Sequence, residues 1–589
     1  EIETQIGDRM PTHEDRNRCH YVMAFIAETL RFRNIAPQGV PHRAVVRTTI
    51  GKYTIPENMG VLVCQGIICR NHKDWDKANE FIPERFLDSE GRYTTTRPKA
   101  YIPFGVGRRV CPGEKLAIAN LFIVLVRFLQ STQDYDIVLD MFKSKLHFDD
   151  VLRNVAKKYG PVFTVWLGNA PHVFVTDIDM AREAFKKNDI AGRTESFFGS
   201  QLSNDTMKDV VFTDYGHTWE ALRRVAHSAV QLAYVATDCV DRTVKTILDK
   251  EGVGKPFSPI NYIYLTFLNI LATSTFGQSY DLEDKEFKDM KYVLRDFGRE
   301  IGPRFILWEF SPIFRLIDKK RVNKMRKLFK DAAELMKHKY ISHQKDYSES
   351  IERDFCDALI TAKNEALREG KESAPYLTDE NLAMTIFDLF FAGTDTSQQT
   401  FQWLLILLSY YPEMQRKLRQ EIETQIGDRM PTHEDRNRCH YVMAFIAETL
   451  RFRNIVPQGL PHRAIVRTTI GKHTIPENMA VIVYQGYICR NDKDWEKANE
   501  FIPERFLDKQ GEFITTRPKA YIPFGVGRRV CPGEKLAIAD LFLVLVRFLQ
   551  STQDYDIVLD SHNGIDADPN IVDAYSPPEY KILLKIKSQ

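Results

Sequence analysis

The sequence lacks three features that would place it in other classes of protein. No segment reaches the roughly 18–20 consecutive apolar residues that a membrane-spanning helix needs, and the longest apolar runs lie near 121–126 and 401–408. The nine cysteines show no paired spacing, which argues against a disulfide framework and favours a reducing environment. The formal net charge is only +2, so no general attraction to nucleic acid is predicted.

A long internal repeat is the most conspicuous feature that is present. Residues 1–140 match residues 421–560 position by position with 17 differences, and the two copies are identical over 1–35 and 95–119. Such a period is far too long for a solenoid. Residues 141–420 precede only the second copy, and 561–589 follow only that copy. The sequence therefore predicts an incomplete duplicate at 1–140 and a near-complete domain at 141–589.

One cysteine in the second copy stands in an unusual setting. Cys531 lies in the stretch Phe524-Gly-Val-Gly-Arg-Arg-Val-Cys531-Pro-Gly533, just before an apolar run at 536–548 that predicts a helix. Gly525 and Gly527 allow positive φ and a close approach of the backbone. A helix N-terminus and the two arginines would lower the pKa of the thiol.

An isolated cysteine is usually an inert residue of the core. The whole frame around Cys531 instead predicts an exposed thiolate that can serve as an axial metal ligand. The same ten residues occur around Cys111, at 104–113.

A second unusual stretch lies in the middle of a long predicted helix, from Asn381 to Leu408. Its centre reads Ala392-Gly393-Thr394-Asp395-Thr396, where a core helix would carry apolar residues. Gly393 weakens a helix by roughly 1 kcal/mol relative to alanine, and the sequence here favours a local widening or kink. A polar stripe facing solvent is the alternative, but the apolar neighbours at 387–391 leave little room for water.

Three other patterns are weak when taken alone. Trp219 and Arg223 share a helix face at i, i+4, Glu448 and Arg451 share one at i, i+3, and His462 lies between Pro461 and Arg463. Solvated pairs and satisfied histidines are the ordinary interpretation of such residues. They become informative only through their order along the chain relative to the Asp-Thr stretch and the cysteine loop.

In this order the motifs resemble those of the cytochrome P-450 family, whose haem-binding loop has the frame Phe-x-x-Gly-x-Arg-x-Cys-x-Gly. The general style resembles the animal microsomal type, which includes steroid hydroxylases and xenobiotic oxidases. The resemblance covers 141–589 and, for its C-terminal third, 1–140. It implies a mainly α fold with small β-sheets, in which a long oxygen-binding helix lies over the haem and the thiolate loop lies beneath it.

The resemblance also implies a cofactor and the residues that contact it. The cofactor is haem b, iron protoporphyrin IX, and Cys531 is the implied iron ligand. The other implied contacts with the cofactor are Phe524, Arg529, Trp219, Arg223, His462, Arg193, Ala392 and Gly393.

Two further roles follow from the same resemblance. Asp395 and Thr396 are the implied catalytic pair, in which a hydroxyl and a titratable carboxyl relay protons into a dry pocket. A structural network that holds the thiolate loop would consist of Glu448, Arg451 and Arg505. Cys111 would belong to a non-functional duplicate of the loop.

The implied function is a haem-thiolate monooxygenase that inserts one atom of O₂ into a hydrophobic steroid, lipid or xenobiotic. The implied electron donor is an NADPH-dependent flavoprotein reductase, with cytochrome b5 as a further candidate. A basic patch around the loop would suit an acidic reductase; it consists of Arg517, Lys519, Arg528, Arg529 and Lys535. We expect the cytosolic face of the endoplasmic reticulum membrane, with peripheral contact and without an anchor in this chain.

Two alternatives stay open at this point. One is a haem-thiolate isomerase or dehydratase that rearranges a peroxide without O₂. Asp395 and Thr396 argue against it, because that chemistry needs no proton relay. The other is a non-functional fusion product, in which the first copy competes with the second for residues 141–420.

Overall fold

The computed structural model describes residues 1–131, 148–167, 170–203, 208–229, 236–301, 304–351, 353–560 and 577–587. The chain divides into two compact units, Glu1–Leu139 (unit 1) and Asp140–Gln589 (unit 2). The domain boundary predicted between residues 140 and 141 lies outside the described residues, so that limit stays a prediction. None of the helices in the described ranges is long and apolar enough to cross a membrane.

Unit 1 consists of short elements and one longer helix. Its helices are α1 (Ile2–Gln5), α2 (His20–Phe32), α3 (Gln65–Ile68) and α4 (Glu114–Ser131), and its strands are β1 (His42–Arg43), β2 (Thr48–Ile50), β3 (Tyr53–Ile55) and β4 (Gly60–Val61). β1 pairs with β4 and β2 pairs with β3, both antiparallel. Phe122 and Val126 of α4 and Ile26 of α2 are buried in a small shared core.

Unit 2 is mainly helical. Its helices are α5 (Phe148–Tyr159), α6 (Ile178–Lys186), α7 (Phe197–Leu202), α8 (His217–Ala229), α9 (Ala236–Lys250), α10 (Ile260–Phe276), α11 (Lys285–Lys291), α12 (Phe297–Ile301), α13 (Arg304–Phe310), α14 (Pro312–Ile317), α15 (Lys319–Lys345), α16 (Phe355–Arg368), α17 (Asp379–Tyr410), α18 (Pro412–Gln425), α19 (His440–Phe452), α20 (Gln485–Ile488) and α21 (Glu534–Ser551).

The strands of unit 2 join segments that are far apart in the sequence. They are β5 (Val162–Leu167), β6 (Ala170–Val175), β7 (Gly192–Arg193), β8 (His462–Arg463), β9 (Thr468–Ile470), β10 (His473–Ile475), β11 (Ala480–Val483), β12 (Tyr555–Leu559) and β13 (Ile582–Ile586). Five of them form one sheet in the order β5-β6-β11-β8-β7, in which β6 and β11 are parallel. β5 and β6 form an antiparallel hairpin at the edge of this sheet.

The long helix predicted around the Ala-Gly-Thr-Asp-Thr stretch is α17. The Thr378 hydroxyl caps its first turn by accepting from the Asn381 N–H at 3.2 Å. The expected local widening was wrong, because α17 is α-helical without interruption from Asp379 to Tyr410. The Thr396 hydroxyl in its middle donates to the Ala392 carbonyl at 2.7 Å, whereas the Thr394 hydroxyl is buried without a hydrogen-bond partner among the described residues.

A buried ion-pair network fixes the segment that leads to the cysteine loop. Glu448 and Arg451 of α19 have no exposed side-chain surface and form two hydrogen bonds of 2.6 and 2.8 Å. Arg505 donates to the Glu448 carboxylate at 3.1 Å. Arg451 also donates to three backbone carbonyls between residues 489 and 500. The structure thus brings these three side chains together, as the sequence predicted.

The same network occurs in unit 1. Glu28 and Arg31 of α2 are fully buried and form hydrogen bonds of 2.6 and 2.7 Å, and Arg85 donates to Glu28 at 3.3 Å. The local arrangement therefore depends only on residues that both copies contain.

Removal of one acid from each network is expected to destabilise one unit at a time. Glu448→Ala leaves Arg451 buried and unpaired, which costs on the order of 3–5 kcal/mol of unfolding free energy. Chemical unfolding followed by circular dichroism should show a lower midpoint for the transition of unit 2. The matched variant Glu28→Ala should lower only the transition of unit 1. If both variants shifted the same transition, the two networks would not belong to separate units.

Candidate active site

A cavity of about 310 Å³ lies inside unit 2, between α17 and the cysteine loop. Most of the site residues predicted from the sequence line it together: Arg193, Arg223, Ala392, Gly393, Thr396, His462, Phe524, Arg529 and Cys531. Trp219 and Asp395 are not part of this lining. The loop and the long helix, more than a hundred residues apart in sequence, therefore face the same space.

The backbone of the cysteine loop requires its glycines. Gly525 has a φ of 85° and Gly527 a φ of 83°, so the predicted positive φ values are confirmed. The N–H of Cys531 donates to the Phe524 carbonyl at 2.9 Å and closes the loop. The first residue of α21 is Glu534, so Pro532 precedes the helix rather than occupying its first turn.

Cys531 borders the cavity and is exposed to it, as predicted, while the protein packed around the thiol desolvates it. Burial raises its pKa, and the backbone N–H groups of Gly533 and Glu534 and the charge of Arg223 lower it without cancelling that effect. The expected lowering of the pKa was wrong, because desolvation outweighs the helix terminus. A coordinated metal ion would hold the thiol in its deprotonated form.

Three guanidinium groups converge at the edge of the cavity: Arg529 is buried, and Arg193 and Arg223 are half-buried. Arg529 donates through Nε to the Ala191 carbonyl and through Nη2 to the Thr213 carbonyl, both at 2.9 Å. The remaining guanidinium nitrogen, Nη1, is buried without a hydrogen-bond partner. Burial and the neighbouring Arg193 lower the pKa of Arg529 to about 8. Burial likewise lowers the pKa of Arg193 to about 10, with Arg223 adding to the effect.

These cations have no carboxylate partner within the described part of unit 2. Arg193 donates to the Val211 carbonyl at 2.8 Å, and Arg223 donates to the Val530 carbonyl. Buried cations whose donors reach only carbonyl oxygens, with one donor left over, fit an anionic group in the cavity. The two propionates of haem b are such a group.

His462 lies beside the same cations. Burial and the charge of Arg193 lower its pKa well below the usual value, so the ring is neutral. Its Nδ1 lies 2.9 Å from the Ile190 carbonyl, and its ring stacks on Phe185 with centroids 3.6 Å apart. The predicted contact with a propionate would leave this bond in place and use Nε2, which a nearby carboxylate would help to protonate.

Trp219 supports the cations from outside the cavity. Its indole N–H donates to the Val210 carbonyl at 3.1 Å. The centroid of its ring lies 4.3 Å from the guanidinium carbon of Arg529 and 5.4 Å from the guanidinium carbon of Arg223. The structure therefore pairs Trp219 with both arginines but does not bring its N–H to the cavity, and the contact with a propionate stays a prediction.

Only one residue of the predicted catalytic pair lines the cavity. Thr396 borders the cavity. Asp395 accepts hydrogen bonds from the side-chain amides of Gln398 at 2.9 Å and Gln399 at 2.7 Å. Its two carboxylate oxygens are thus held along the helix surface by the following turn.

Two buried carboxyl groups at the cavity were missed at the level of sequence. Asp388 of α17 accepts from the N–H groups of Val210 and Val211 at 2.8 and 3.1 Å, and burial raises its pKa well above the usual value. Its position between the apolar residues Phe387 and Leu389 was the feature of the sequence that could have indicated a buried carboxyl group. Asp540 of α21 also lines the cavity, and it is one of the few positions at which the copies differ after residue 95.

Comparison with known proteins identifies the family. The cytochrome P450 profile matches residues 1–133 and 136–558. The chain belongs to the cytochrome P450 family. Its haem-thiolate fold, mainly α with small sheets, and its classification as a monooxygenase are thereby confirmed, as is haem b as the cofactor.

Curated relatives match about two thirds of the chain. A steroid 17-alpha-hydroxylase/17,20 lyase of Ictalurus punctatus is 30% identical over 410 residues, which cover 68% of this chain and 79% of the relative. The protein of the same name from Gallus gallus is 30% identical over 407 residues, 67% of this chain and 79% of the relative. Cytochrome P450 2U1 of Rattus norvegicus is 31% identical over 411 residues, 68% of this chain and 76% of the relative.

The buried acid of α21 predicts a dependence of stability on pH. Asp540 is 6% exposed, and burial raises its pKa from 3.8 to about 8. The native P450 keeps a proton that the unfolded chain releases above about pH 4, so stability falls as pH rises from about 4 to about 8, by at most about 1.4 kcal/mol per pH unit. Asp540→Asn should make this slope shallower by up to about 1.4 kcal/mol per pH unit in denaturant titrations, while the contribution of Asp388, whose pKa burial also raises, stays.

The duplicate supplies the control for this measurement. Asn120 occupies the equivalent position on α4 and is exposed. Asn120→Asp therefore adds a solvated carboxyl and should leave the dependence of stability on pH unchanged. A slope that stayed as steep in Asp540→Asn as in the unmodified chain would contradict the assignment of Asp540 as a titrating group.

Proposed function

We propose that this P450 monooxygenase inserts one atom of O₂ into a hydrophobic steroid, lipid or xenobiotic, with electrons from an NADPH-dependent flavoprotein reductase. The observation that carries the proposal is the convergence of the Cys531 thiol, three guanidinium groups and the Thr396 hydroxyl around one cavity. A thiol, an anion-binding edge and a hydroxyl facing the thiol are the elements that haem-dependent oxygen activation requires.

The residues that would hold the cofactor lie on three sides of the cavity. Cys531 would bind the iron, and Arg193, Arg223 and Arg529 would pair with the propionates. Phe524 would pack against the ring on the side of the thiol, and Ala392 and Gly393 leave open space on the other side. When bound, haem b supplies the activation of O₂ for insertion into a C–H bond.

The lining beyond these residues supports a hydrophobic substrate. It is formed largely by aliphatic side chains: Val210, Val211, Leu271, Leu389, Ile455, Val456, Leu460 and Val483. Apolar walls with few polar groups are typical of pockets for small apolar ligands. Asp388 fixes the backbone of 210–211 at this wall, so it would shape the pocket rather than donate a charge to the substrate.

Thr396 and Asp395 would deliver protons to the pocket. The Thr396 hydroxyl borders the cavity and donates to the Ala392 carbonyl at 2.7 Å, so it can rotate to donate into the cavity instead. In this relay Asp395 would pass protons to Thr396, and the side-chain amides of Gln398 and Gln399 orient its carboxylate. These roles suit a general acid–base relay.

The reductase would dock on the face that covers the cysteine loop, at the cytosolic surface of the endoplasmic reticulum. The basic patch predicted there is smaller than the sequence suggested. Arg517 pairs with Glu534, Lys519 pairs with Asp179, and Arg529 is buried. Arg528 and Lys535 are exposed on this face and would attract an acidic partner. Cytochrome b5 would use the same charges.

The assignment of the iron ligand predicts one haem per chain. Cys531→Ala should abolish the reduced-CO spectrum of a thiolate-ligated haem, because Cys531 shares its cavity with the three arginines and α17. The matched variant Cys111→Ala should retain the full spectrum and a haem-to-protein ratio of one. Loss of the spectrum in Cys111→Ala, or a ratio of two in the unmodified chain, would overturn this assignment.

The proton relay predicts a specific defect in Thr396→Ala. Without the hydroxyl, protons reach the pocket less directly, and product formed per NADPH should fall on the order of 10²-fold while hydrogen peroxide release rises. Thr394→Ala removes a hydroxyl of the same helix that does not border the cavity and should stay coupled. Turnover of a hydroperoxide at full rate without reductase and NADPH would instead favour the isomerase alternative.

A further inference from the structure

We propose that a second, small apolar cavity of unit 2 binds dioxygen and passes it to the large cavity that Cys531 borders. The small cavity has a volume of about 20 Å³ and lies between α9, α10, α17, α21 and β13. The inference deepens the proposed function and rests on it, because dioxygen is the co-substrate of a monooxygenase.

The walls of the small cavity are almost entirely apolar. All the residues that line it are buried, and most of them carry aliphatic or aromatic side chains, such as Ile263, Leu405 and Val544. The volume is enough for one small molecule. Space alone would therefore admit water as well as a small gas, and the hydrogen-bonding groups of the walls decide between them.

The hydroxyl groups of the lining have no donor left for a water molecule. Thr266 donates to the Tyr262 carbonyl at 2.9 Å, so it accepts from Thr243 in the contact of 2.8 Å between the two hydroxyls. The Tyr262 hydroxyl donates to the Glu251 carboxylate. A buried water molecule needs two to four polar partners. The small cavity therefore favours an apolar molecule over water.

The small cavity is the neighbour of the large one. Phe267 of α10 lines both. Thr400 of α17 and Leu541 of α21 line the large cavity, whereas Phe401 and Val544 of the same two helices line the small one. Residues one to three positions apart on a helix lie within a single turn. The two spaces are therefore about one helix turn apart along the same three helices.

The ring of Phe267 is a wall that the two cavities share. Its centroid lies 5.7 Å from that of Phe401, whose ring in turn lies 6.1 Å from that of Phe548. These aromatic side chains are buried and uncharged. A rotation of the Phe267 ring is the smallest movement that would join the two spaces, and it would open an apolar path between them.

Dioxygen is the apolar molecule that the reaction of this protein requires. Transfer of a small apolar molecule from water into apolar surroundings is favourable. The organic substrate would occupy the aliphatic wall of the large cavity, so a separate space beside it would hold dioxygen close to the site without competing for the same surface.

Xenon under pressure is the probe for this site, because it fills dry apolar cavities. Crystals of the haem-loaded full chain should show one xenon atom in the small cavity. Val544→Leu adds a methylene group to its wall and should lower the xenon occupancy severalfold, whereas Val544→Ala enlarges it and should raise the occupancy. Val124→Leu makes the same change at the exposed counterpart in unit 1 and should have no effect. Ordered water in the small cavity, or xenon in the large cavity alone, would overturn the proposal.

The delivery of dioxygen is tested by steady-state kinetics at varied dioxygen concentration. Val544→Leu should raise the KM for dioxygen severalfold with a much smaller effect on kcat, and Val124→Leu should match the unmodified chain. An unchanged KM in a Val544→Leu variant that has lost xenon binding would overturn the proposal. Xenon binding is measured without turnover, so a failure of the proposed function would appear as absent NADPH-dependent turnover while the xenon site remained.

Discussion

The site of unit 2 depends on three guanidinium groups at the edge of its cavity, none of which has a carboxylate hydrogen-bond partner in the part of the chain that the structure describes. Arg193, Arg223 and Arg529 come from β7, α8 and the cysteine loop, and their donors reach only backbone carbonyls. The pKa of Arg529 is lowered first by burial and then by the like charge of Arg193, so its charged form is disfavoured where it stands. An anionic cofactor between them removes the conflict. Because it binds only the folded chain, cofactor binding and folding of unit 2 are linked.

This constraint explains why two identical cysteine loops need not be equivalent. The loop around Cys111 has the same residues as the loop around Cys531 and the same glycine conformations at its start. The arginines of β7 and α8 and the middle of α17 belong to the segment that precedes only the second copy. Local sequence determines the shape of the loop, whereas the charges and the facing helix come from elsewhere in the chain. We therefore assign the site to unit 2.

Features set by local periodicity could be predicted from the sequence, and features set by burial could not. The β5–β6 hairpin, α17, the glycine conformations and the network of Glu448, Arg451 and Arg505 follow from spacing and motif. The raised pKa of the Cys531 thiol depends on depth in the fold. The role of Asp388 depends on backbone groups 177 and 178 residues away. Neither property has a counterpart in the spacing of neighbouring residues.

The differences between the copies follow the difference in their surroundings. Of the 17 substitutions, 15 lie between positions 36 and 94, the part that in unit 2 contributes β8 to β11. Tyr484 is fully buried, with its ring 6.4 Å from that of Phe174 of β6, whereas its counterpart Cys64 is exposed. A large ring is needed where a neighbouring strand must be packed, and a small side chain suffices where none is present. Asp540 and Asn120 also differ in their surroundings, since Asp540 is buried and Asn120 is exposed. A carboxyl group carries a desolvation cost only at the buried position.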